Sequence, residues 1–183
     1  MKLPFAHIET ARLVLRPPQM ADWEAFRAFL ASARSEHVGG PYDDKTAWRA
    51  MGHITGHWML RDYGSYVLTL KGGDDAGFGM VGPWFPEGHP EPELAWSIWS
   101  AEHEGQGFAE EAAIATRDHA YGTLGLPSLV SYIDAPNARS ITLAQRLGAV
   151  LDTAAPAPDQ DEPPVHVYRH IAPDADGSPE AYA

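Results

Sequence analysis

The segment Glu104-Gly105-Gln106-Gly107-Phe108-Ala109, which runs straight into Glu110-Glu111-Ala112-Ala113-Ile114-Ala115, constrains this chain more than any other stretch. A strand-like run, Glu93-Leu94-Ala95-Trp96-Ser97-Ile98, precedes it, and alanine is the strongest helix former, so the order is strand, glycine-bearing turn, helix. The first turn of a helix has backbone N–H groups with no intrahelical partner, and the helix dipole adds partial positive charge there. Small residues at 105, 107 and 109 let a phosphate approach those amides. Closely spaced glycines also serve an ordinary tight turn, so the segment alone leaves anion cradle and plain turn both open. It lacks the Lys-Ser/Thr pair of a Walker A loop and the third glycine of a dinucleotide fingerprint.

The elements around this turn set the fold class. Leu13-Val14-Leu15, closed by Arg16 and Pro17-Pro18, predicts a first strand. Asp22 as N-cap, with Trp23, Phe26, Phe29 and Leu30 at helical spacing, predicts a helix to about Ala33. A second helix is expected from Asp43 or Asp44 to about Leu60, although Gly52 and Gly56 weaken it. Ser65–Leu70 and Gly77–Val81 flank the turn Lys71-Gly72-Gly73-Asp74-Asp75 and predict a hairpin. The helix after the glycine turn should end near Tyr121-Gly122. Leu129–Ile133 is an apolar strand, Asn137 caps a further helix that Gly148 stops, and Val165–Ile171 is the last strand. Ala154–Pro164 reads as an exposed loop. The expected fold is a single α/β (α+β) domain over 1–172, with 173–183 a poorly ordered tail. Its mixed, mostly antiparallel sheet carries helices on both faces and contains one strand–helix–strand crossover.

Composition removes several functions. The length of 183 residues fits one domain, and a 44% hydrophobic share with six Trp is enough for a core. A net charge of −12 argues against a nucleic-acid partner and mildly favours a cationic or amine substrate. Without cysteine there is no disulfide, no thiolate metal site and no Cys acyl-enzyme. Neither a signal peptide nor a membrane span is legible, so no membrane partner and a cytoplasmic location are expected.

The glycine turn resembles the acyl-CoA pyrophosphate loop of the GNAT N-acetyltransferases, Q/R-x-x-G-x-G/A. Asn137-Ala138-Arg139-Ser140 and Arg146-Leu147-Gly148-Ala149 are similar to that superfamily's later N-x-x-S…K/R-L-G-F signature. Glu9-Thr10-Ala11-Arg12-Leu13-Val14-Leu15-Arg16 resembles the E-T-x-R-L-x-L-R opening of the branch of ribosomal-protein N-acetyltransferases. The resemblance implies a GNAT-like acyl-CoA N-acyltransferase fold, acetyl-CoA as cosubstrate, no metal, and a monomer or homodimer. It implies direct attack of a primary amine, on a small molecule or a protein N-terminus, within a ternary complex. Gly105, Gln106, Gly107, Phe108 and Ala109 would present amides to the pyrophosphate. Trp96, Ser97 and Ile98 would offer a free strand edge to the pantetheine arm, in the manner of β-augmentation. Asn137 and Ser140 would bind pantetheine or phosphate, although a capping role accounts for both equally well.

Three departures from the pattern stand out. Glu104 replaces the usual Gln or Arg and sets a carboxylate beside the pyrophosphate. Ala149 replaces Phe. Ala144 stands where many relatives have a Tyr that protonates the leaving thiolate, which keeps open a non-catalytic acyl-CoA-binding or sensing domain.

Glu93, at the start of the strand that would carry the cofactor, is the first choice of general base, ahead of His89 and Glu91; an ordinary strand-edge acid is the plain alternative. The backbone near Ser97 or Ile98 is the natural oxyanion donor, and Ser97 or Tyr132 could serve the leaving sulfur. His53 with His57, and His166 with His170, have pairwise spacing but no third ligand, so they are expected to be ordinary histidines. Trp48, Trp58, Tyr63 and Tyr66 are expected in the core, and Gly56–Gly64 is the candidate wall of the acceptor pocket.

Overall fold

In the computed structural model, residues 7–158 and 165–173 are described. The strands are β1 (Ile8–Glu9), β2 (Leu13–Arg16), β3 (Tyr66–Leu70), β4 (Gly79–Trp84), β5 (Glu93–Ile98), β6 (Val130–Asp134), β7 (Val150–Leu151) and β8 (Val165–Arg169). The helices are α1 (Trp23–Leu30), α2 (Asp44–Arg61), α3 (Phe108–Gly122) and α4 (Ala138–Arg146). The strands form one eight-stranded sheet in the order β1-β2-β3-β4-β5-β6-β8-β7. Every neighbouring pair is antiparallel except β5 and β6, which α3 connects as a parallel crossover.

Side-chain alternation on β5 sorts the two faces. Leu94, Trp96 and Ile98 turn toward α3, into a core with Leu13, Leu15, Leu68 and Val81. Glu93, Ala95 and Ser97 turn to the opposite face, where α1 and α2 pack Phe26, Phe29 and Met51 against Val67 and Met80. Leu13, Leu15 and Leu68 are completely buried, each worth roughly 1.5–3 kcal/mol of transfer free energy. The mixed sheet with helices on both faces is the architecture the sequence predicts.

The differences are local. β1 and β7 have two residues each, too short for alternation to reveal. α1 stops at Leu30 rather than Ala33, and a 3-10 turn over Ala33–Val38 follows, capped by Ser32. Asp22 precedes α1 but makes no side-chain cap, because its carboxylate is taken by the buried Arg16 at 2.8 Å and by the Gln19 amide at 2.8 Å. Trp58 and Tyr66 are core residues at 1% and 2% exposure, whereas Trp48 is 53% exposed and packs edge-on against Trp23. Beyond Pro158, the rest of the expected loop up to Pro164 lies outside the described residues, as does the expected tail beyond Pro173. Among the described residues no helix is long and apolar enough to cross a membrane.

Candidate active site

The glycine turn forms a row of open donors. Gly105 and Gly107 adopt left-handed φ values of 70° and 77°, so glycine is required by conformation rather than by crowding; no protein atom lies within 4 Å of where a Gly105 Cβ would sit. In this geometry the amides of Gly105, Gln106, Gly107, Phe108, Ala109 and Glu110 have no acceptor among the described residues; the flanking amides of Glu104 and Glu111 are bonded to Ala101 O and Gly107 O. These donors lie at the N-terminus of a fifteen-residue helix, where the dipole adds to them.

The opening motif of the chain braces this turn, a role its sequence did not reveal. Thr10 Oγ1 and the Arg12 amide donate to Glu111 Oε1 at 2.6 and 2.8 Å, and Arg12 Nε donates to Glu111 Oε2 at 2.6 Å. Arg12 Nη1 also donates to Gln106 O at 2.9 Å, and its guanidinium lies 4.5 Å from the Phe108 ring centroid. Burial alone would raise the Glu111 carboxyl, but these bonds outweigh it and hold it below the usual range.

The turn stands at one end of a cleft between β5 and β6. These strands pair only where both begin, at Glu93 and Val130, with Val130 N–H bonded to Pro92 O at 3.0 Å. Beyond that point they part. Trp99 N–H bonds Phe78 O at 2.8 Å on the β4 side, and alternation directs the N–H and C=O groups of Leu94, Trp96 and Ile98 toward the cleft. The backbone of Ser97 faces β4, so Trp96 and Ile98, not Ser97, present amides to the cleft. A buried chain closes the apex: Ser131 Oγ donates to Leu94 O at 2.6 Å and accepts from His170 Nε2 at 2.9 Å. Burial, with the charge of Arg117, lowers His170 to about 3, so the ring is neutral.

Asn137 and Ser140 line the same cleft. Both have protein partners: Asn137 Oδ1 accepts the Ser140 amide at 3.1 Å as the cap of α4, and Ser140 Oγ accepts Trp96 Nε1 at 3.1 Å. Ala144 is fully buried beside Ile133, Ala149, Tyr168 and Trp96, so no hydroxyl comes from that position. Glu104 is held across the cleft by two cations that the sequence did not single out. Arg34 Nη2 reaches Glu104 Oε1 at 2.6 Å and Ile98 O at 3.2 Å, and Arg139 Nη1 reaches Glu104 Oε2 at 3.0 Å.

On the α1/α2 face, the cleft opens into a cavity of about 550 Å³ that includes Glu93, His89, His53, Ser97 and Tyr132. The Glu93 side chain keeps 15% of its exposure, and burial raises its carboxyl to about 8 against a single opposing hydrogen bond from the Tyr132 amide. His89 Nδ1 lies 3.6 Å from Glu93 Oε2 and has no hydrogen-bond partner among the described residues; burial lowers the His89 pKa. Tyr132 packs edge-on against His89, and its phenol, raised by burial, accepts the Glu91 amide at 3.2 Å. Ser97 Oγ accepts Trp99 Nε1 at 3.2 Å and keeps its own proton to donate. Glu91 itself is locked in a bidentate pair with Arg169 at 2.8 Å, which lowers its pKa and withdraws it from base chemistry.

Some sequence expectations land elsewhere. The α2 residues lining this cavity are Ala50, His53 and Ile54, whereas Gly56, His57, Leu60 and Arg61 line a separate depression with Phe85. His57 cannot pair with His53 around a metal, because its Nδ1 is bonded to Tyr63 O and its Nε2 to the Phe85 amide, each at 2.9 Å. His170 uses Nε2 on Ser131, and its Nδ1 is buried without a hydrogen-bond partner among the described residues.

A family model described as an acetyltransferase (GNAT) domain matches residues 12–150, which takes in the glycine turn, both cleft strands and α4. The chain belongs to the GNAT acetyltransferase family. It is 40% identical to an acetyltransferase from Agrobacterium tumefaciens, with 93% of this chain and 97% of that one covered and a TM-score of 0.83. It is 25% identical to a GNAT-family protein from Bordetella pertussis, covering 91% of this chain and 99% of the other at a TM-score of 0.75. A third likeness, at 16% identity and a TM-score of 0.71, is to RimL, a ribosomal-protein acetyltransferase solved in complex with coenzyme A; 94% of this chain and 100% of that one are covered, and at that identity the likeness shows the fold alone. The chain described here is thus a GNAT acetyltransferase.

Proposed function

We propose that the protein transfers the acetyl group of acetyl-CoA to a primary amine by direct attack, with coenzyme A lying in the β5/β6 cleft. One observation carries this reading: the unbonded amides from Gly105 to Glu110 stand at the end of a cleft whose apex holds Glu93. The residues present suit the ligand. The amides and the nearby Arg34 and Arg139 match a diphosphate. The outward amides of Trp96 and Ile98 and the Trp96 carbonyl match the amide groups of a pantetheine arm, while Ile98 O already accepts from Arg34. Acetyl-CoA supplies an activated acyl group as a thioester.

Glu93 is the base in this reading. A carboxyl with a pKa of about 8 is half-ionised at about pH 8 and still partly ionised at neutral pH, so it can accept a proton from an ammonium and leave an amine able to attack. Trp96 or Ile98 N–H is the oxyanion donor. Ser97 and Tyr132 supply hydroxyl groups near the departing sulfur, in the absence of one at Ala144. The amine nitrogen forms the new bond to the acetyl carbon, the carbon–sulfur bond breaks, and the proton lost by nitrogen ends on sulfur.

Ala144 supports a second reading, a domain that binds acyl-CoA without turning it over. Calorimetric titration with coenzyme A, combined with thiol release in the presence of amines, separates the two. Binding with amine-dependent thiol release supports the transferase. Binding with no release from any amine supports the sensor, and absence of binding removes both.

A further inference from the structure

We infer that the acceptor is a small amine bearing a second cationic group and no carboxylate, of the diamine or polyamine type. This deepens the transferase reading and rests on it. The inference comes from the cavity beside Glu93, whose size of about 550 Å³ is that of a small-molecule site. Among the described residues, its carboxylates are Glu36, Glu93 and Asp134 and its imidazoles His37, His53 and His89, and no lysine or arginine lines it. An amino acid or another carboxylate-bearing amine would meet no fixed cation among the described lining and several acids to repel it; Arg34 and Arg139 stand in the adjoining cleft and are paired with Glu104.

The acids lie at separate stations. Glu93 is at the apex, where the reacting nitrogen must be deprotonated. Asp134 shares a face of β6 with Tyr132 and stands two residues, about 7 Å, further along the strand. There His37 Nδ1 contacts Asp134 Oδ2 at 3.0 Å and His37 Nε2 contacts Glu36 Oε1 at 3.2 Å, so one imidazole is shared by two carboxylates. With two carboxylates set against one imidazole, the group can hold a second ammonium. Phe29, Tyr42 and Trp84 also line the cavity, which gives the methylenes of a diamine apolar and aromatic surface to lie against.

The test uses acceptors of one chain length that differ only at the far end: putrescine, n-butylamine and γ-aminobutyrate, assayed by thiol release from acetyl-CoA. Putrescine is expected to exceed γ-aminobutyrate in kcat/KM by about 100-fold, with butylamine between them. In Asp134→Asn the preference for putrescine over butylamine should narrow by about tenfold. Equal or better turnover of γ-aminobutyrate overturns the inference, as does a putrescine preference that ignores the substitution. If coenzyme A binds by calorimetry but none of these amines is acetylated, the acceptor class is wrong and the cofactor cleft stands. If coenzyme A itself does not bind, both fall.

Discussion

Glu104 Oε2 accepts a 3.0 Å bond from Arg139 Nη1, linking the connection between β5 and α3 to the helix that follows β6 and so spanning the cleft. Its other oxygen is held by Arg34 at 2.6 Å. The carboxylate occupies cations that a diphosphate would seek, which turns an unfavourable neighbour into an internal competitor.

Glu104→Gln should therefore tighten coenzyme A binding. The pairs are partly exposed, so the gain is modest, about threefold in Kd by calorimetry. Weaker binding in the variant would show that Glu104 positions the arginines rather than competing for them.

Gly107→Glu should abolish measurable coenzyme A binding, since it brings a carboxylate to the open amides. The left-handed φ of 77° adds strain of roughly 1–2 kcal/mol for a residue with a Cβ, visible as a lowered Tm. Gly107→Asn, which tolerates that conformation, should keep the fold and bind within about tenfold of the parent. Unchanged affinity in the Glu variant would move the phosphate site elsewhere.

Glu93→Gln should lower kcat by about 100- to 10,000-fold with little change in coenzyme A affinity. Parent activity should rise with pH through a pKa of about 8, and the variant should lose that limb. Stability supplies an independent check. Folded Glu93 keeps its proton up to about pH 8 while the unfolded carboxyl releases it near 4.5, so the parent loses stability as pH rises across that window. The Tm of the variant relative to the parent should therefore increase between those limits.

Arg12 positions the turn through Gln106 O and Glu111. Arg12→Ala should raise KM for acetyl-CoA by about tenfold and leave kcat within about twofold. Arg12→Lys, which cannot form the same fork to both partners, should restore only part of it. A loss confined to kcat would contradict this positioning role.

His170 makes the fold sensitive to acid. The unfolded ring takes up a proton near pH 6.5, whereas the folded ring refuses it until about 3, so stability falls as pH drops through that interval. His170→Asn should flatten this part of the Tm profile, whatever its effect on stability at neutral pH.

Local chemistry made much of this molecule legible. Alanine propensity fixed α3, the Asn137 cap fixed the start of α4, and apolar runs located β5 and β6, because each depends on residues adjacent in the chain. The same chemistry offered Gly105–Ala109 as a candidate anion cradle with a plain tight turn as the alternative, and the family resemblance drew attention to Glu93 at the start of the cofactor strand. The two-residue strands and the exposure of Trp48 escaped it, since they depend on what lies across the sheet or beside a helix.

Only the tertiary structure decided what these residues face. Which backbone edge of β5 is open follows from its register with β4, and the cleft exists because β6 pairs with β5 at one point. The raised pKa of Glu93 is a matter of desolvation by distant segments, and the bracing of the glycine turn joins Arg12 to Glu111 from the far side of the chain. A sequence states which groups a chain carries and how they lie along it. Burial, strand register and charge contacts between remote segments arise only when those segments pack.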